Sequence, residues 1–351
     1  GNRIGFGEGF KSMTINLKQL SKLLNLSPTT VSRALADYPD VSAKTRARVK
    51  QMAIQQGYQP NPVARRLQKG KTETIGIVIT PEQNYFSDTF FIDLLSGISN
   101  QITRAGYELI LGVASDEEHE MQSMRRMVEG KRVDGMILTL IREQDPRVGY
   151  LLDRDFPFVL YGRTRETRPY AFVDMDGKQA FEKACTYLAG LGHRRIALLN
   201  GEPGFMFPVG CREGYESGLF LSGLELDPDL IREWKHKDPS QSSYRWTLEL
   251  FKNDNPPTAI LFQTEAVNGI FKGLDELNLQ PGKDVALIGY DDLEIARIHR
   301  PSLSVLRPQA REAGQRVVNI LLEVIKGEDP GKFQEIHQVE MVIRETSLPP
   351  S

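Results

Sequence analysis

Apolar residues recur along the chain in two rhythms. Near the N-terminus, Leu17, Leu20, Leu23 and Leu24 fall at helical spacing and predict one apolar face. Asn25 follows, a residue that tolerates the left-handed backbone of a tight turn. Ser27 then offers an N-cap and Pro28 a first helical position for a second short helix. Val31, Ala34 and Leu35 form its buried side, while Thr29, Ser32 and Arg33 lie on the other. Ser42 as a cap and the periodic Val49, Met52 and Ala53 predict a third helix, able to close a small core with Tyr58. Two short helices joined by a tight turn, with small polar groups and an arginine exposed on the second, read as a helix-turn-helix. The second helix of that motif enters the DNA major groove N-terminal end first.

Beyond Lys71 the rhythm changes. Apolar runs at Ile75–Ile79, Leu109–Val113, Met136–Leu140, Phe158–Leu160, Ile196–Leu199, Ala259–Phe262 and Val285–Tyr290 read as buried strands. Helical patterns such as Ile92–Ala105, Gln179–Leu191 and Ile270–Leu277 lie between several of them. This alternation predicts an α/β body of parallel sheets covered by helices, where ligands bind beyond the carboxyl ends of strands.

Between head and body, residues 59–71 belong to neither rhythm. Pro62 can start a helix and Gly70 can end it, yet the segment is too short to be stable alone. It carries Arg65, Arg66 and an isolated Leu67 with no core nearby. Two readings stand: a charged linker, or a hinge helix that folds only against DNA and a partner hinge.

Charge sharpens the division. Eleven bases against Asp37 and Asp40 give residues 13–71 a net +9, and residues 1–12 add +1. The whole chain carries −2, so the remainder carries −12. A basic, patterned head on an acidic body is the footprint of nucleic-acid binding. No apolar run approaches the roughly 18–20 residues of a membrane span, and the first twelve residues hold no apolar signal segment. Cys185 and Cys211 are too few for a disulfide framework or a four-cysteine zinc site. The expected compartment is the cytoplasm, with no cofactor and no metal. The chain has five histidines, His119, His193, His236, His299 and His337, but no Gly-x-Ser-x-Gly elbow, phosphate loop or His-x-x-x-His pair, so it reads as no enzyme.

Several motifs carry a resemblance in consistent order and spacing. They are Leu26-Ser27-Pro28-Thr29-Thr30-Val31-Ser32-Arg33-Ala34-Leu35, Val41-Ser42-Ala43-Lys44-Thr45-Arg46, Gly57-Tyr58-Gln59-Pro60-Asn61 and Ala64-Arg65-Arg66-Leu67. In these the chain resembles the lactose-repressor/galactose-repressor family of bacterial transcriptional regulators. Residues 1–12 lie outside the resemblance and read as a leader or cloning remnant.

The resemblance implies a helix-turn-helix head over 13–58, a hinge over 59–71 and a two-lobed core like the periplasmic sugar-binding proteins. It places 72–190 and 307–335 in the N-terminal lobe and 191–306 and 336–351 in the C-terminal lobe. Three crossings near Leu191, Leu306 and Glu335 join them. The DNA contacts are expected from Leu17, Pro28, Thr29, Ser32, Arg33, Ser42, Thr45, Tyr58, Asn61, Arg65 and Leu67. Effector contacts matched to the family are Phe90, Asp176, Arg212, Thr264 and Asp291. His193 matches a structural turn.

The chain departs from the family at Gln263-Thr264-Glu265, where Asn-Asp is usual, so no particular sugar carries over. Phe205, Met206 and Phe207 either suit a glycoside or plug the cleft. The expected partners are double-stranded operator DNA, a small-molecule effector of carbohydrate class and a second copy of the chain in a homodimer, with no membrane. Two alternatives stand beside this reading: corepression by a purine-like or phosphorylated effector, and an effector-blind protein that bends DNA.

Overall fold

The computed structural model describes residues 15–58, 71–80, 89–234 and 238–349. It divides into two units, the first ending at Thr72 and the second beginning at Glu73.

In the first unit, α1 (Leu17–Leu24), α2 (Pro28–Leu35) and α3 (Ala43–Gln55) form as the pattern predicts. Each begins on a side-chain cap: Asn16 accepts from the Gln19 backbone N–H at 2.9 Å, Ser27 from Thr30 at 3.0 Å and Ser42 from Thr45 at 3.2 Å. Asn25 ends α1 in the left-handed region, at φ +54°. Leu20, Leu24, Val31, Ala34, Val41, Val49 and Ala53 form the small core, with Tyr58 packed at its edge. Leu23 departs from expectation and is exposed. It sits about 120° around the helix axis from Leu17, off the stripe that Leu20 and Leu24 share with it.

In the second unit the described strands form two six-stranded sheets. In chain order they are β1 (Thr74–Ile79), β2 (Glu108–Val113), β3 (Gly135–Leu138), β4 (Phe158–Tyr161), β5 (Ala171–Met175), β6 (Ile196–Asn200), β7 (Ile231–Glu233), β8 (Ala259–Gln263), β9 (Ala286–Tyr290), β10 (Ser304–Arg307), β11 (Gln334–His337) and β12 (Glu340–Val342). The first sheet runs β11-β5-β4-β3-β1-β2, and all its pairs are parallel. The second runs β12-β10-β9-β8-β6-β7 and is parallel except at β12. The antiparallel edge has a connectivity cause. β10 runs toward the junction between the sheets, whereas β12 starts two residues after β11 and runs away from it.

The chain passes between sheets after β5, β10 and β11. The first passage falls at Asp176, not near Leu191. The Gly177–Gly190 helix packs on the Met206–Leu221 helix and on β8 and β12, so it belongs with the second sheet. The Ala310–Ile325 helix returns to the first sheet, packing on the Thr89–Arg104 helix and on β3, β4 and β5. The third passage lies at residues 338–339, just beyond the expected Glu335. Among the described residues no helix is long and apolar enough to cross a membrane.

Candidate nucleic-acid interface and interlobe cleft

In the head, Pro28, Thr29 and Arg33 stand exposed on α2, and Ser32 is half-buried. Leu17 and Tyr58 are half-buried against the head core, which leaves only part of each for an outside contact. Ser42 is exposed, and its hydroxyl lies 2.8 Å from that of Thr45. Asn61, Arg65 and Leu67 lie outside the described residues. Both acids of the head are engaged with bases. Asp37 accepts from Lys50 Nζ at 2.7 Å, which holds its carboxyl below the usual range. Asp40 meets Arg33 Nη2 at 2.8 Å.

In the body, the carboxyl ends of both sheets face one junction. From the first sheet come Tyr161 and Asp174, with Arg163 bonded to Asp174 and the Phe90 ring 5.8 Å from that of Tyr161. Burial raises the Asp174 carboxyl above its usual range, against the opposing pull of Arg163. From the second sheet come Asn200, Gln263, Tyr290 and Asp291. Gln263 Nε2 donates to Asn200 Oδ1 at 2.9 Å, and both residues are buried. Burial pushes the Tyr290 phenol well above its usual range; Tyr161, Asp291, Cys211 and Asp174 push the same way. Tyr290 and Tyr161 pack on one hydrophobic cluster that draws residues from both sheets.

Asp291 holds a φ of +82°, and its backbone N–H donates to Leu306 O at 2.8 Å. A non-glycine residue there is unusual, and such strain clusters at functional sites. The next residue anchors the turn. Asp292 meets Arg344 at 2.8 Å, Arg297 at 2.9 Å and Arg307 at 3.5 Å. Burial alone would raise its carboxyl; the arginines outweigh burial and hold it below the usual range.

The other effector candidates divide. Asp176 sits at the first passage, where its carboxylate caps the following helix by accepting from Gln179 N–H at 3.0 Å. Thr264 opens a short 3-10 turn, Thr264–Ala266, directly after β8. Arg212 reaches the cleft groups through Glu233, which also accepts from Asn200 Nδ2 at 3.4 Å. Its guanidinium turns to Glu216 at 2.9 Å and Glu233 at 3.4 Å and lines an acidic surface recess of about 280 Å³ with Glu143 and Glu213. The preceding Cys211 takes the inward side, its sulfur 4.0 Å from Gln263 Nε2.

The lobes touch across the cleft. Met206 N–H donates to Ile141 O and Glu143 N–H to Gly204 O, both at 2.9 Å, forming a one-pair antiparallel bridge between Arg142 and Phe205. The Arg142 guanidinium lies 5.6 Å from the Phe205 ring centroid, and Arg165 meets Glu213 at 3.6 Å. A mostly buried ion network fixes Arg142 in place: Glu120 bonds both Arg142 and Arg147, and Arg147 bonds Asp145. Phe207 turns the other way, its ring 4.6 Å from Tyr290. So Phe205 closes the outer rim and Phe207 fills the inner end.

Tyr161, Arg163, Asp174, Tyr290 and Cys211 were missed as cleft groups, whereas Gln263 was singled out only as a departure from the family. Asp174 carried a signal, a carboxylate two residues before Asp176 in a short apolar strand. Among the described residues no cluster of three or more histidine, cysteine or acidic side chains is placed to hold a metal.

Family models match the chain twice: bacterial regulatory proteins, lacI family, over residues 16–61, and a periplasmic binding protein-like domain over residues 185–347. The HTH-type transcriptional regulator AglR of Rhizobium meliloti is 35% identical over 344 residues, covering 96% of this chain and 95% of that protein. A solved structure of the Lac repressor dimer bound to operator and the anti-inducer ONPF is similar at a TM-score of 0.82 and 23% identity, covering 95% of this chain and 99% of that one. The CelR–cellobiose complex is similar at a TM-score of 0.72 and 23% identity, with the same coverage.

Proposed function

The chain belongs to the lacI family of DNA-binding transcriptional regulators, and from that premise we propose that a carbohydrate bound between its lobes sets its affinity for operator DNA. One observation carries this reading. Asp291 is held at φ +82° beyond the carboxyl end of β9, where the carboxyl ends of two sheets meet. Ligands of open α/β sheets bind beyond those ends. A sugar needs carboxylates and amides to bridge its hydroxyls and an aromatic face for its apolar side. Asp291, Asp174 and Gln263 supply the first, and Phe90, Tyr161 and Tyr290 the second. The cellobiose held by CelR, which shares this fold, supports the same ligand class.

In the head, Thr29 and Arg33 read base edges from α2, and repression relieved by the sugar is the sign we adopt. Two copies act together, one per half-site. Isothermal titration of a mono- and disaccharide panel, repeated with operator DNA present, tests this. Saturable binding that weakens when operator is present is expected. A panel with no binder, or a binder indifferent to operator, overturns it. Tighter sugar binding in the presence of operator reverses the sign to corepression.

A further inference from the structure

In the head, the exposed arginine of α2 is restrained on two sides. Arg33 Nη2 meets Asp40 Oδ2 at 2.8 Å, and the guanidinium carbon lies 5.1 Å from the centroid of the Tyr38 ring. Both partners belong to the turn between α2 and α3, and that turn is itself fixed. Tyr38 N–H donates to Arg33 O at 3.0 Å, and Arg46 Nη1 donates to the carbonyls of Tyr38 and Val41, each at 2.9 Å. Asp37, the other carboxylate of the turn, is held by Lys50 and so does not compete for Arg33.

A solitary surface ion pair contributes little to stability. This one has a different consequence. A free arginine side chain samples many rotamers, and binding a base must freeze them. A ring beneath the guanidinium plane and a carboxylate at one end remove much of that freedom beforehand. The guanidinium carries five donors in a planar fork, more than one carboxylate can use. The contact to Asp40 runs through Nη2, so donors remain for the paired O6 and N7 acceptors of a guanine.

We infer that Asp40 and Tyr38 are positioning residues that aim Arg33 at a guanine and thereby set sequence specificity. The inference rests on Arg33 reading base edges, as proposed above. Neither Asp40 nor Tyr38 needs to touch DNA for this role.

Electrostatics makes the test decisive by sign. A carboxylate near phosphate repels all DNA, so its removal by Asp40→Asn ordinarily strengthens operator and random binding alike. A positioning role predicts the opposite on operator. The full-length protein is used with two duplexes of equal length: a site selected by this protein from a random library, and a random-sequence control. Asp40→Asn is expected to weaken the selected site about threefold to tenfold, with random DNA held equally well or better. Tyr38→Leu should also lower specificity, and Tyr38→Phe, which keeps the ring, should restore it. In an Arg33→Met background, Asp40→Asn should no longer weaken the selected site. Circular dichroism melting confirms that each variant keeps its head folded.

The inference fails alone if Arg33→Met abolishes specificity while Asp40→Asn strengthens both duplexes. It also fails if the loss from Asp40→Asn persists in the Arg33→Met background. If Arg33→Met weakens both duplexes equally, Arg33 contacts phosphate only, and the underlying reading of Arg33 falls with it.

Discussion

Asp291 was legible as a candidate because an acid directly after an apolar strand sits where ligands bind in such sheets. Its backbone was not legible, since nothing in Gly289-Tyr290-Asp291-Asp292 announces φ +82°. That conformation separates two substitutions. Asparagine tolerates it, whereas alanine does not and should lower stability by about 1–2 kcal/mol, read in urea unfolding. Both should abolish the effector response in a gel-shift titration; a wild-type response from Asp291→Asn would remove this carboxylate from the site. Cys211 shows the limit of sequence reading: it lies one helical step of 100° from Arg212, and only the fold tells that it turns inward toward Gln263. His193, placed in a turn by the family resemblance, bonds Thr258 Oγ1 and Leu348 O, both at 2.9 Å. Burial depresses its pKa below the ordinary 6.5. The unfolded chain therefore takes up this proton first as pH falls. Stability contributed by neutral His193 is full above about pH 6.5 and is lost progressively below it. His193→Gln should flatten the pH dependence of the melting temperature in that window, before carboxylates titrate; an unchanged slope would assign it to another group.

At the scale of elements, apolar runs announced β1, β2, β3, β4, β6, β8 and β9, while β5, β7, β10, β11 and β12 escaped. Gln334-Glu335-Ile336-His337 is an edge strand with every second residue exposed, and a single isoleucine gives no periodic signal. Helix pairing was equally hidden, because glycines make it. A Cβ on Gly97 would lie 2.0 Å from Arg311 O, and one on Gly314 would lie 2.4 Å from Leu94 O. The Thr89–Arg104 and Ala310–Ile325 helices therefore approach backbone to backbone. Gly97→Ala must push them apart and should cost about 1–3 kcal/mol in denaturant unfolding. A neutral result would mean that the two helices separate freely. The rim bridge makes a kinetic prediction. Phe205→Ala removes a cation–ring contact of about 0.5–1 kcal/mol while leaving the two backbone bonds and the Arg142–Glu120 pair. Effector dissociation, followed by stopped-flow fluorescence, should quicken about 2- to 5-fold. An unchanged rate would show that the lobes part before the ligand leaves by a route that spares this rim.

Across the whole molecule, the head-and-body division was readable from charge alone, because residues 13–71 carry +9 and the chain beyond them −12. The three passages between sheets were not readable, since contacts between distant strands leave no local mark. If sugar and operator are linked as proposed, the coupling is one free energy. Each must weaken the other by the same factor. Titrating sugar against the free protein and the operator complex, and operator against the apo and sugar-loaded protein, checks that equality.

The returning chain also has a consequence for biosynthesis. The first sheet is completed by β11 and covered by the Ala310–Ile325 helix, and the second is completed by β12. A ribosome that has released residues 1–309 has delivered neither lobe whole. Ile75, Leu94 and Ile98 then lack the Val317, Val318 and Leu321 that share their core. Both lobes should remain open to protease until residues 310–342 emerge, and then close almost together. A premature stop near residue 310 would thus yield a nascent chain with a complete head and two unfinished lobes, marked for degradation along most of its length.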